Sequence, residues 1–260
     1  MIILATIIGA YALMALYLFL IQDRMIFFPP KLTEHSPQSI RYKELEVTFH
    51  RDGVALRGWL LNPGQRKLII YYGGNAEDIS GNIEDFKRYP DYSVLLLNYR
   101  GYGRSEGEPG QTALLGDALK VFDEIVIDMD LRAADVLLFG RSLGTGVATF
   151  VAGKRPVSKL ILVTPFDSLR DVAKAHFRLF PVGLLMRHPF NSLASADQIQ
   201  CSPLVLIAAN DQIIPRKNSM NLVHAFNGNC TVAVVEFADH NSIHMFPEYW
   251  STIDDYLRSS

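Results

Sequence analysis

Val136-Leu137-Leu138-Phe139-Gly140-Arg141-Ser142-Leu143-Gly144-Thr145-Gly146-Val147-Ala148 is the stretch that decides the fold. Apolar, β-prone residues lead into Gly-Arg-Ser-Leu-Gly, and a small-residue, helix-compatible run from Thr145 to Ala152 leads out. A G-x-S-x-G pattern alone is weak, since about 0.09 matches arise by chance at this length given ordinary Gly and Ser usage. A strand entering and a helix leaving give it meaning. The serine then sits on a tight strand-to-helix turn, and the two glycines give that turn room. A second match, Gly103-Arg104-Ser105-Glu106-Gly107, is flanked by Gly101-Tyr102 and Glu108-Pro109-Gly110, which is loop composition. Ser142 is therefore the nucleophile candidate, and Ser105 a loop residue.

Outward from Ser142, strand-like runs alternate with helical patterns. Glu44–His50 and Val54–Leu61 flank Arg51-Asp52-Gly53, an antiparallel hairpin with a glycine turn. Lys67–Tyr72, Ser93–Asn98, Asp135–Phe139, Lys159–Thr164, Leu204–Ala209 and Thr231–Phe237 are β-prone runs suited to buried strands. Between them, Leu115, Leu119, Phe122 and Val126 share one helical face, as do Ile79, Ile83 and Phe86. Pro247 stands as a first helical residue, with Trp250, Ile253 and Leu257 on one stripe. This order predicts an α/β fold, a mostly parallel eight-stranded sheet with helices on both faces. Function in such sheets gathers in loops at the carboxyl ends of the strands.

A serine hydroxyl needs a base, and the base an orienting carboxylate. In this motif class they follow the serine in the order acid, then histidine. Asp211 comes directly after Leu204–Ala209, and His240 follows Thr231–Phe237 by a two-residue turn. Asp167 is the second acid candidate; its plain alternative is to cap a helix starting near Ser168. His244, four residues beyond His240, is the second base candidate. His176, His188 and His224 are read as local packing or hydrogen-bonding residues, the first two within reach of a pocket. The developing oxyanion needs donors. Leu143 N–H, next to the nucleophile, is one. The other is expected from Gly73-Gly74-Asn75-Ala76, where the glycines allow close backbone approach. No Lys-Ser/Thr follows this Gly-Gly, so it is not a phosphate loop.

The first 22 residues contain no Asp, Glu, Lys, Arg or His. Ile2 to Ile21 is long enough to cross a hydrocarbon core of roughly 30 Å. A signal peptide would want a basic start and a small-residue cleavage site, and neither is present. The expected division is a transmembrane anchor over 1–22, a juxtamembrane segment over 23–39 and one domain over 40–260. Met25 to Phe28 continue the apolar character up to Pro29-Pro30, a stretch read as suited to the lipid interface. Arg24, Lys31, Arg41 and Lys43 follow the span, so the positive-inside rule favours a cytoplasmic domain. The rest is ordinary in composition. With 25 basic and 27 acidic residues the net charge is −2, which argues against nucleic acid as the main partner. Two cysteines cannot make a disulfide scaffold or a four-thiolate metal site. Cys201 and Cys230 each precede one of the last two strands, and are read as reduced thiols.

Four blocks carry a resemblance to a known group: Tyr71–Ile79, Asn98–Gly107, Gly140–Ala148, and Asn210–Pro215 with Asp239-His240-Asn241. Together they resemble the α/β-hydrolase superfamily, and within it the membrane-anchored serine hydrolases related to prolyl-oligopeptidase-like enzymes. The resemblance implies a Ser142–Asp211–His240 triad, an oxyanion hole around Gly74, Asn75 and Leu143, and a small cap over about 166–202. It also implies an acyl ester or thioester substrate and no metal or organic cofactor. Relatives often carry His-Gly-Asn-Ala where this chain has Gly73-Gly74-Asn75-Ala76, which loosens any carry-over of substrate preference. The expected partners are a small-molecule or acylated substrate and the lipid bilayer. A serine peptidase and a non-catalytic membrane-bound scaffold are the alternatives that the residues leave open.

Overall fold

Asp52 and Gly53 both have positive φ, 49° and 78°, the backbone that a two-residue type I′ hairpin needs. They join β1 (Glu46–Arg51) to β2 (Val54–Leu61) in antiparallel register. This computed structural model describes residues 1–259. The remaining strands are β3 (Leu68–Tyr72), β4 (Ser93–Leu97), β5 (Val136–Arg141), β6 (Lys159–Val163), β7 (Leu204–Ala208) and β8 (Thr231–Val235). All eight make one sheet in the order β1-β2-β4-β3-β5-β6-β7-β8. The pairings β1·β2 and β2·β4 are antiparallel, and the others parallel. This is the α/β-hydrolase fold.

The helices in chain order are α1 (Ile2–Ile26), α2 (Pro37–Arg41), α3 (Ile83–Phe86), α4 (Gln111–Asp128) and α5 (Leu143–Ala152). They continue with α6 (Leu169–His176), α7 (Val182–Leu185), α8 (Leu193–Ala196), α9 (Arg216–Ala225) and α10 (Pro247–Arg258). Strand side chains alternate between two cores. Leu68, Ile70, Tyr72 and Leu138 pack with Phe122 of α4 and with Val147 and Val151 of α5. Ile69, Tyr71 and Phe139 pack with Phe86 of α3 and with Tyr249 and Ile253 of α10. Each such fully buried Leu, Ile, Val or Phe side chain contributes about 1.5–3 kcal/mol, and truncating Leu138 to Ala costs about 2–5 kcal/mol.

Several expectations change in detail. The buried face of α4 is Leu114, Ala118, Val121, Phe122 and Ile125, while Leu115, Leu119 and Val126 are half-buried. The helix is apolar on more than one face, so spacing alone picked a flanking stripe. Strand β8 ends at Val235, because Phe237 takes a left-handed turn (φ 63°).

The N-terminal segment departs most. Helix α1 is a candidate membrane span by length and composition: its most apolar window has a mean hydropathy of 2.3 and is 6 % buried. It runs past Asp23 and Arg24 to Ile26. Phe27, read as suited to the lipid interface, is instead 3 % exposed and sits in the core beside Phe190. Beyond it the chain straps onto the domain. Gly103 N–H donates to Pro30 O at 2.7 Å, and Leu32 N–H to Gly103 O at 3.2 Å. Ring-on-ring contact and backbone pairing outweigh what an interface offers a single phenylalanine.

Candidate active site

The Gly-Arg-Ser-Leu-Gly turn is set by close packing. A Cβ on Gly144 would stand 1.9 Å from Tyr72 O, and one on Gly140 would stand 2.5 Å from Gly144 O. With both absent, β5 passes straight into α5, and Ser142 is held at φ 51° on the bend between them. A left-handed non-glycine residue is strained, and the tight surroundings hold it there. Ser105 has a different fate. It is 6 % exposed, accepts Arg57 N–H at 2.8 Å and donates to Asn98 O at 3.2 Å, so it fastens a loop to β2.

Parallel β5, β7 and β8 bring their carboxyl ends to one edge, and Ser142, Asp211 and His240 meet there. His240 Nδ1–H donates to Asp211 Oδ2 at 2.8 Å, and His240 Nε2 accepts from Ser142 Oγ at 2.9 Å. Asp211 is fully engaged: its Oδ1 accepts the N–H groups of Ile213 and Ile214 at 2.9 and 2.8 Å. These bonds fix the carboxylate, which fixes the ring tautomer. The histidine loop is shaped by Asp239, whose Oδ1 accepts from Ser242 N–H and Asn241 N–H. Those backbone donors hold the Asp239 carboxyl below its ordinary range.

The other candidates lie apart. Asp167 is buried and bonds Ser168 N–H, Asn218 and Asn221, joining the cap to α9. The helix cap expected of it falls to Ser168, which accepts from Asp171 N–H at 3.0 Å. His244 bonds neither Ser142 nor Asp211; its backbone carbonyl takes the Trp250 indole N–H. His188 accepts Gln111 N–H on Nδ1 and donates from Nε2 to Asp23 at 2.9 Å. His176 reaches Ile213 O at 2.9 Å, and His224 is exposed. Cys201 and Cys230 are free and half-buried, and burial pushes the Cys201 thiol up to about 11. Among the described residues, no three His, Cys, Asp or Glu side chains are grouped to hold a metal ion.

The loop after β3 corrects one expectation. Gly74 N–H is not free to face Ser142, because it donates to Glu77 Oε2. Among the described residues, Asn75 N–H and Leu143 N–H have no hydrogen-bond partner. Leu143 N–H belongs to the open first turn of α5, where donors and the helix dipole favour negative charge. A Cβ at Gly74 would meet Glu77 Oε2 at 3.0 Å, so the glycine lets that carboxylate close on the backbone, while Ser142 Cβ would stand at an ordinary 3.5 Å. A side chain at Gly73 would meet Ile79 Cγ2 at 2.7 Å, so the loop as built has no room for a histidine.

Glu77 escaped the sequence reading. Its carboxylate also accepts from Tyr71 Oη and Asn82 Nδ2, and pairs with Arg141 at 3.5 Å. Arg141 in turn donates to Asn241 O at 3.3 Å. One carboxylate thus ties the β3 loop, the Ser142 turn and the His240 loop. Nothing in the sequence separates Glu77 from its neighbour Asp78, and the partner that links it to the Ser142 turn, Arg141, is distant in sequence.

Comparison with known proteins gives the family. The profile of the family described as serine hydrolase (FSH1) matches residues 95–256. The chain belongs to that family. Its similarity to the Mycobacterium tuberculosis protein Rv2307c is 31 % identity over 226 residues, 85 % of this chain and 80 % of that one. It is 34 % identical over 172 residues to the Bos taurus lysophosphatidylserine lipase ABHD12, covering 57 % of this chain and 42 % of the lipase. Among solved structures, the Pyrococcus furiosus esterase Pf2001 superposes with a TM-score of 0.70 at 19 % identity, over 90 % of this chain and 97 % of the esterase. That last likeness concerns the fold. The serine hydrolase family thus supplies the reaction class, and the residues above supply the chemistry to be assigned within it.

Proposed function

We propose that this serine hydrolase cleaves acyl esters or thioesters at a membrane, to which α1 anchors it. The observation that carries the reading is the unbroken relay from Ser142 Oγ through His240 to Asp211, at 2.9 and 2.8 Å. Ser142 Oγ attacks the acyl carbonyl as His240 Nε2 takes the hydroxyl proton. His240 then gives that proton to the leaving alcohol or thiol. A water molecule, deprotonated by His240, releases the acid and restores Ser142. Asp211 holds the imidazole and offsets its positive charge. Leu143 N–H and Asn75 N–H are the donors for the oxyanion, each such donor being worth about 2.7–4 kcal/mol in the transition state. The lipase activity named for ABHD12 supports an acyl ester substrate, and the apolar α1 supports a lipid setting.

A fluorophosphonate probe tests the assignment. The wild-type chain is expected to label on Ser142, and Ser142→Ala to abolish labelling. Labelling that survives this substitution, or none in the wild type, refutes the proposal.

A further inference from the structure

Between α1 and the cap lies an open apolar cleft, lined on one side by Leu18, Phe19 and Met25 and on the other by Phe177, Phe180 and Leu185. The one polar side chain on its wall is already satisfied. Gln22 donates to Phe19 O and Leu185 O and accepts Arg187 N–H. Nothing there asks for a polar ligand.

The position of the cleft says more than its lining. Its outer end, Leu18 and Phe19, belongs to the uncharged run, whereas its inner end, Met25 and Ile26, lies beyond Asp23 and Arg24. Eight residues of helix separate the ends, about 12 Å. Past the inner end, Phe28 N–H donates to Asn75 Oδ1 at 2.9 Å. On the cap side, α6 carries Ala173 of the cleft wall and His176, which reaches Ile213, a donor to Asp211. The cleft therefore runs from the hydrocarbon level of α1 to the charged end of that helix, and the segments that leave it there, Phe28 and α6, contact the loops of Asn75 and Asp211.

The cap descends with it. Tyr11 Oη donates to Leu179 O at 2.8 Å, and its ring stacks on Phe180 at 5.5 Å. Tyr11 is fifteen residues before Ile26, about 22 Å along the helix. If α1 spans a core of roughly 30 Å, the cap tip reaches into it. Leu179 and Leu184, 82 % and 88 % exposed, suit that place. Arg178 turns back to donate to Ala175 O, and Arg187 pairs with Asp23 near the charged end of the span.

The geometry points to a binding site for one acyl chain of a bilayer lipid ester, drawn sideways from the membrane between the anchor and the cap, with its carbonyl brought to Ser142. This rests on the hydrolase reading above for the carbonyl, but the chain site has its own test. Full-length Ser142→Ala protein in phosphatidylcholine nanodiscs is mixed with a lysophospholipid carrying a mid-chain diazirine, then irradiated. Adducts are expected on Ala173 and Met25, and Ala173→Trp, which fills the cleft, removes the Met25 adduct. Adducts confined to the outward face of residues 2–16 overturn the site. With active protein, the ratio of kcat/KM for lauroyl over acetyl p-nitrophenyl esters falls at least tenfold in Ala173→Trp, and likewise in Leu185→Trp. An unchanged ratio in both also overturns it. Adducts at Met25 and Ala173 in a chain whose Ser142 fails to take a fluorophosphonate uphold the lipid site and refute the hydrolase reading instead.

Discussion

Glu77 takes the backbone N–H of Gly74 into its carboxylate, and the same carboxylate pairs with Arg141 beside Ser142. Gly74 and Asn75 share a peptide bond, so the grip on one orients the other. Glu77→Ala is expected to lower kcat about tenfold to hundredfold, less than loss of a donor itself, with KM nearly unchanged. Stability should fall by about 1–3 kcal/mol as buried partners lose their acceptor. Glu77→Gln, which keeps an acceptor oxygen, should recover part of kcat. A change in KM alone would show that Glu77 has no positioning role.

Asp211 accepts two backbone donors on one oxygen and His240 on the other. Asp211→Asn keeps the turn but presents the wrong partner to Nδ1–H. We expect kcat to fall about 10⁴-fold while the melting temperature barely moves. Combined with Ser142→Ala, the second substitution should add almost nothing, because the residues act as a unit. Independent, multiplying losses in ester kinetics would contradict a shared relay.

Two glycines give opposite predictions. Gly144→Ala forces a methyl group to within 1.9 Å of Tyr72 O, a backbone atom that cannot swing aside. That protein should fail to fold or lose several kcal/mol. Gly116 in α4 has nothing within 4 Å of a built Cβ, so Gly116→Ala should stabilise by about 0.5–1 kcal/mol. Urea unfolding of the two variants separates a packing requirement from simple helix propensity.

Cys201 is raised to about 11 by burial, from an ordinary 9.0. At pH 8 its thiolate fraction is then about a hundredfold below that of an open thiol. Alkylation by iodoacetamide should be slower in the native chain by that factor. The sign for stability follows. Above pH 9 the unfolded thiol loses its proton while the folded one keeps it, so stability declines from pH 9 to about 11. Cys201→Ala should flatten that decline.

All eight strands were legible in the sequence, because continuous β-prone runs between turn residues are what a sheet covered on both faces requires. Ser142, Asp211 and His240 were legible for a related reason: each follows a strand, and parallel strands deliver their ends to one edge. What escaped depends on contacts between distant segments. The engagement of Gly74 by Glu77 needs three loops in place before it exists. The burial of Phe27 could not be told from lipid exposure, since a core and a bilayer ask for the same side chains. The stripe on α4 shifted because apolar residues fall on several faces there, and neighbouring helices choose among them.

The strap from Phe27 to Leu32 has a practical meaning for preparing the catalytic unit without its apolar leader. A chain cut to begin at residue 40 would leave behind Phe27 and the Phe28 N–H that holds Asn75. Removing an aromatic ring from a core costs about 3–5 kcal/mol, and the loop facing Ser142 would lose a tether. Trimming should stop before Asp23, whose carboxylate holds His188 and Arg187, so the last turn of α1 is a shared wall rather than a detachable stalk.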